Sequence, residues 1–198
     1  MLALPPAPAP APRRRLLAAT AVAGAAAAML VGGQLAVWWR FREAAPLREG
    51  GDGLIRGWIP EDVKIPGVPT NIMLLTLVGL CLMAQFAVYA AQRSDRANTL
   101  LGLGVVIVMG LATLNAQAFV YSQMEMPIAG GAYQAMFYAI TGTFVVLLLC
   151  AITYTVVTAF RYLGGRTADR EVVAAQALFW YIITGIFTAV WFVIYVTK

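Results

Sequence analysis

The 198-residue chain contains no histidine. That removes the usual axial ligand of haem, the common ligand of copper, zinc and iron, and the commonest general base. Its two cysteines, Cys81 and Cys150, fall in separate apolar stretches. No metal-ligand spacing exists, and a buried structural thiol is the default reading of each. Charge is scarce as well: Asp, Glu, Lys and Arg make up 12% of the residues against 61% hydrophobic, and the mean hydropathy is +0.78. A soluble domain of this size cannot hide so much apolar surface from water, so the composition is that of an integral membrane protein. No acidic or basic residue interrupts the apolar runs. Ion and proton routes normally need such groups, which argues against a self-sufficient pump or antiporter. There is no nucleotide-binding glycine loop and no nucleophile–base pair, hence no catalytic residue to nominate.

What is present is a series of apolar blocks separated by the few charges. The longest runs from Tyr133 to Phe160, 28 positions without a charge. As a helix it extends about 42 Å, enough to cross a hydrocarbon core of about 30 Å with some tilt. Cutting the chain at its charges predicts spans at about 16–39, 70–92, 99–121, 133–160 and 172–196. The expected fold is all-α: a polytopic bundle of five transmembrane helices forming a single domain over 16–198.

The charges also predict an orientation. With the N-terminus inside, the inner segments hold eight arginines, among them Arg13, Arg14, Arg15, Arg93, Arg96, Arg161, Arg166 and Arg170, against three carboxylates. The outer segments hold six positive and six negative residues. The whole net charge of +5 therefore falls on one face, which by the positive-inside rule reads as N-in, C-out. The basic balance reports topology and contact with anionic lipid, not nucleic acid.

In chain order, residues 1–15 begin with an alternation of Pro and Ala that cannot build a core, and read as a disordered inner tail. Arg13–Arg15 before an Ala-rich run resembles a signal peptide, but the run extends to Trp39, longer than a signal core, which favours a retained first helix. Gly24, Ala28 and Gly32 recur every fourth residue and let another helix approach closely. Trp38 and Trp39 close this span where indoles prefer the interface. Residues 40–69, rich in Gly and Pro, read as an outer loop ordered in places. Thr70 or Asn71 is placed to cap the second span. Arg93-Ser94-Asp95-Arg96 is a turn so short that the helices it joins must be antiparallel neighbours. Asn115 and Gln117 are costly in lipid and are expected to face other helices and hydrogen-bond there.

The order of features resembles the haem-copper oxidase subunit III family in a five-helix form without the first two helices of longer members. The resemblance rests on Pro69-Thr70-Asn71 leading into a span, on Gly110 with Gln117 and Tyr121, on Tyr133 with Phe137, Thr141 and Gly142, and on a last span running from Phe179-Trp180-Tyr181 to Trp191 and Tyr195. The chain departs from the family pattern where it has Phe144 and Leu147, Tyr181, Thr184 and Val120 in place of histidines or acidic residues. None of the family's ionisable membrane residues is kept.

The resemblance implies a non-catalytic accessory subunit of a terminal oxidase in a bacterial plasma membrane, packed against catalytic subunit I and holding lipid. It implies no cofactor bound by this chain, with haem and copper in partner subunits. A related nitric oxide reductase complex, a transporter component and a membrane scaffold stand as alternatives. Gln117, Tyr121, Thr141, Gly142 and Trp180 match the family's phrases, and each has a packing explanation: amide or hydroxyl bonds between helices, a glycine for close approach, an interfacial aromatic. Arg161, Arg166 and Arg170 are candidates for holding lipid headgroups, or are topology determinants alone.

Overall fold

The computed structural model describes residues 14–50, 53–60, 63, 65–127, 130–167 and 169–197; the expected tail before Arg14 lies outside them. Five helices account for the fold: α1 (Arg15–Ala44), α2 (Gly67–Gln92), α3 (Arg96–Met124), α4 (Ala132–Leu163) and α5 (Arg170–Val190), the last continued by a π-helical turn, Trp191–Val196. Each is long and apolar enough to cross a membrane. They run a few residues past the expected spans because hydropathy marks where lipid ends, whereas backbone hydrogen bonding continues into the interface.

Between α1 and α2 lies a feature that hydropathy does not foretell, an antiparallel hairpin of β1 (Leu47–Gly50) and β2 (Gly53–Arg56), in register from Leu47 opposite Arg56 to Gly50 opposite Gly53. The sequence Gly50-Gly51-Asp52-Gly53 has the composition of a tight turn, the local signal for it. We call this the hairpin end of the bundle, and the opposite side, with Arg93, Arg96 and Arg161–Arg170, the arginine end.

The short turn at 93–96 makes α2 and α3 neighbours, and Asp95 caps α3 by accepting from the Asn98 backbone amide at 3.1 Å and its side-chain amide at 2.6 Å. Those bonds, the backbone one foremost, hold the Asp95 carboxyl below its ordinary range. A lowered folded pKa means the cap stabilises above the unfolded value of about 3.9 and is lost as pH falls through the lower folded one. Asp95→Asn, which keeps the cap without the titration, is therefore expected to lose its disadvantage to wild type below about pH 4, as read by unfolding midpoints in detergent; parallel curves across that window would refute the assignment.

At the start of α1 the cap comes from far along the chain. The Glu171 carboxylate accepts from the Leu16 and Leu17 amides at 2.8 and 3.1 Å, tying α1 to α5. Farther along that seam, a Cβ built on Gly24 would fall 2.2 Å from Ile182 Cδ1, so the close approach expected of the small-residue face is realised at Gly24, although Gly32 has nothing within 4 Å.

Four local expectations are corrected. α2 begins at Gly67, so neither Thr70 nor Asn71 caps it: the Thr70 hydroxyl donates back to Pro66 and Gly67 carbonyls, and Asn71 Oδ1 accepts from Trp191 Nε1. Pro69 fits inside the first turn because no amide is needed there. Trp38 is buried, and only Trp39 is exposed, its indole donating to Glu43. Cys150 faces outward and Cys81 is half-buried. Asn115 also faces outward, away from the other helices of the chain.

Candidate functional site: a neutral polar and aromatic core

At the hairpin end several of the residues that carried the family resemblance converge. Gln117 and Tyr121 are one turn apart on α3, and the Tyr121 hydroxyl donates to Thr141 Oγ1 on α4 at 2.9 Å, which itself donates to the Phe137 carbonyl at 2.6 Å. Gln117 is buried, and neither its amide oxygen nor its nitrogen has a hydrogen-bond partner, although the Tyr121 and Tyr195 phenols lie beside it. The expected bond from Gln117 to another helix is thus not made. Tyr195, on the π-helical turn, and Tyr133, at the start of α4, are likewise buried with unpartnered hydroxyls.

Aromatic rings tie these groups together. Phe137 stands against Tyr121, Tyr133, Tyr138 and Tyr195 with ring centres 5.5–6.4 Å apart. Trp38 of α1 and Trp58, from the segment after the hairpin, meet each other and Tyr133 at 5.1–5.6 Å. Edge-on and tilted contacts of this kind each add about 0.5–1.5 kcal/mol beyond area burial. Hence the loop at 40–69, legible only as partly ordered, contributes a core residue.

Trp180, expected at an interface, is wholly buried in mid-bundle. Its indole donates to Thr155 Oγ1 at 2.8 Å, which also receives the Gln176 amide at 3.3 Å and donates to the Ala151 carbonyl at 2.8 Å. Gly110 makes room for it, since a Cβ there would lie 3.0 Å from Trp180 Cη2 and from Ile152 Cγ1. The close-approach role assigned to Gly142 belongs to Gly110 instead, because a Cβ on Gly142 would meet nothing within 4 Å.

Where the family pattern has ionisable residues in its last span, this chain has Tyr181 and Thr184, and both are engaged. Tyr181 donates to Gln85, Thr184 Oγ1 lies 3.1 Å from Cys81 Sγ, and with Trp191–Asn71 at 2.8 Å they form three neutral rungs along the antiparallel α2–α5 seam. Pattern reading of sequence has no signal for such rungs, because they pair residues about 100 positions apart.

At the arginine end, Arg161 pairs with Asp169 at 2.6 Å and Arg170 donates to Ser94 at 2.8 Å, whereas the Arg166 side chain has no partner among the described residues. The three candidate headgroup arginines are thus unequal. No group of three or more Cys, Asp or Glu close enough to hold a metal occurs among the described residues. The arrangement can pack, order and hydrogen-bond.

Comparison with known proteins places the chain by residues rather than geometry. The family described as "Cytochrome c oxidase subunit III" matches residues 35–198. A curated relative, "Cytochrome c oxidase subunit 3" of Drosophila yakuba, is 26% identical over 134 residues, which are 68% of this chain and 49% of the relative. The matched region spans about half the length of that relative.

Proposed function

The chain belongs to the cytochrome c oxidase subunit III family, and from that premise we propose that it is a non-catalytic accessory subunit of a haem-copper terminal oxidase. The observation that carries the reading is the neutrality of the bundle's interior: among the described residues, every buried polar side chain is a hydroxyl, an amide, an indole or a phenol, engaged in or beside helix packing. Such a chain supports a complex by shape. In this reading haem and copper belong to catalytic subunit I, against which the bundle packs, and this chain supplies no ligand to either.

The net positive charge at the arginine end supports an N-in, C-out orientation in a bacterial plasma membrane. Anionic lipid is held there, with Arg166 the most available of the three candidate arginines because Arg161 and Arg170 are already engaged.

The test is to purify the tagged chain in mild detergent, identify co-purifying subunits by mass, and record a reduced-minus-oxidised visible spectrum. Haem bands together with a multi-span catalytic subunit are the expected result. A colourless preparation, intact and alone, would overturn the reading. Thr141→Ala and Gln117→Ala are expected to leave the haem bands unchanged while loosening assembly; loss of a band would place this chain close to the chemistry.

A further inference from the structure

α3 presents one outward face with a helix-docking pattern. Gly104, Val108, Leu111, Asn115, Ala118 and Ser122 follow one another at alternating intervals of four and three residues, the seam spacing of two helices crossing at a shallow angle. Val108 and Leu111 are 66% and 50% exposed, and Asn115 is exposed between them and Ala118.

Asn115 is the informative residue. The 29 residues of α3 span about 43 Å, so a centred hydrocarbon slab of about 30 Å leaves roughly 7 Å beyond it at each end. Asn115, nine residues before Met124, then lies about 7 Å inside the hydrocarbon boundary, too deep for so short a side chain to reach the headgroups. Hydrocarbon offers its amide nothing, and an unbonded amide there is costly. Three other amides of the spans are provided for within the chain: Gln85 bonds Tyr181, Asn71 bonds Trp191, and Gln34 donates to Thr143. Asn115 has no hydrogen-bond partner among the described residues. Beside it a groove of about 650 Å³ opens between the start of α2 and the end of α3, walled by Val68, Pro69, Ile72 and Phe119. The outward face of α4, with Val146, Leu149 and Val157, carries the exposed Thr153 hydroxyl but no amide, and suits lipid better.

We infer that the Asn115 face of α3 docks a transmembrane helix of the catalytic subunit, one that brings a polar side chain to the Asn115 amide and a bulky one to the adjoining groove. A single amide in an otherwise apolar seam sets register and partner, as a buried asparagine does in coiled coils. The identity of the partner rests on the functional reading above; the face and its chemistry rest on Asn115.

The experiment uses the purified complex carrying a photoreactive benzoylphenylalanine at position 111 or, on α4, at position 146. Irradiation is expected to join position 111, and not 146, to a helix of the haem-bearing subunit. Asn115→Leu is expected to weaken retention of that subunit through detergent washing by roughly three- to tenfold, the range of single interhelical hydrogen bonds in membranes, without lowering the unfolding midpoint of this chain. Asn115→Gln should restore part of it. A complex that forms while position 111 reaches only lipid or a second copy of this chain, or that retains its partner equally with Asn115→Leu, overturns this inference alone. A chain that purifies with no haem-bearing subunit overturns the functional reading and the partner named here with it.

Discussion

Trp180→Ala is expected to destabilise the bundle by about 3 kcal/mol, measured as the shift of the unfolding curve when the purified chain is titrated from mild detergent into denaturing detergent. Removing a fully buried Trp from a soluble core costs about 3–5 kcal/mol, part of it the transfer of apolar surface from water. In a membrane that part shrinks, since lipid is as apolar as the protein interior, and lost packing contacts dominate. The lower end of the range follows. The site has little means of collapsing, because Trp180 sits between Gly110, Ile152 and Thr155 on two different helices, and the indole is the group that fills the space Gly110 leaves. Trp180→Phe loses the 2.8 Å bond to Thr155 and withdraws the Cη2 edge from the space beside Gly110, so an intermediate cost of about 2 kcal/mol is expected. Equal effects of the two substitutions would mean that packing at Trp180 is not what holds α3, α4 and α5 together.

Gly102→Val is expected to cost about 3 kcal/mol, the upper end of overpacking penalties, and to leave much of the protein aggregated on size-exclusion chromatography after mild heating. A Cβ at Gly102 would lie 2.9 Å from Ala87 Cβ and 3.2 Å from both Cα and N of Ala87. Two of those three atoms are backbone, so no rotamer change relieves the contact and α2 must move away from α3. Separation spreads along the whole seam, because a three-residue turn joins the two helices and their other buried small residues, Ala84 and Ala91, rely on the same spacing. Adding Ala87→Gly should recover part of the loss but not all, since the backbone contacts at 3.2 Å remain. By contrast, the atoms that face Gly24 all belong to the Ile182 side chain, with no backbone among them, so Gly24→Ala is expected to be milder than Gly102→Val. A Gly102→Val variant as stable as wild type would show that α2 and α3 tolerate a wider spacing than the structure has.

Helices are local objects, and the five were legible because each joins uninterrupted apolar residues to a short list of flanking charges. The antiparallel pairing of α2 with α3 was legible for the same reason, being encoded within a few consecutive positions. The hairpin was missed because its composition signal, Gly50-Gly51-Asp52-Gly53, is embedded in a segment whose Gly and Pro also suit an irregular loop. Asn115 and Gln117 were expected to behave alike. They are two residues apart, about 200° around a helix, so one of them had to face away from whatever the other faced.

The sequence by itself determined that this protein is a helical membrane bundle with no histidine, no charged group in its apolar runs and a one-sided excess of arginine. These properties follow from residue types and their spacing along the chain, and no folding is needed to establish them. Only the tertiary structure decided that Trp180 is a core residue filling the space beside Gly110, that Tyr121 bonds Thr141, that Glu171 caps the first helix from 155 residues away, and that Asn115 is left facing out. Each of these depends on how one helix is rotated against another. Nearly uniform hydrophobicity around every helix leaves that rotation unmarked in the sequence, so close packing and the pairing of scattered polar groups must select it.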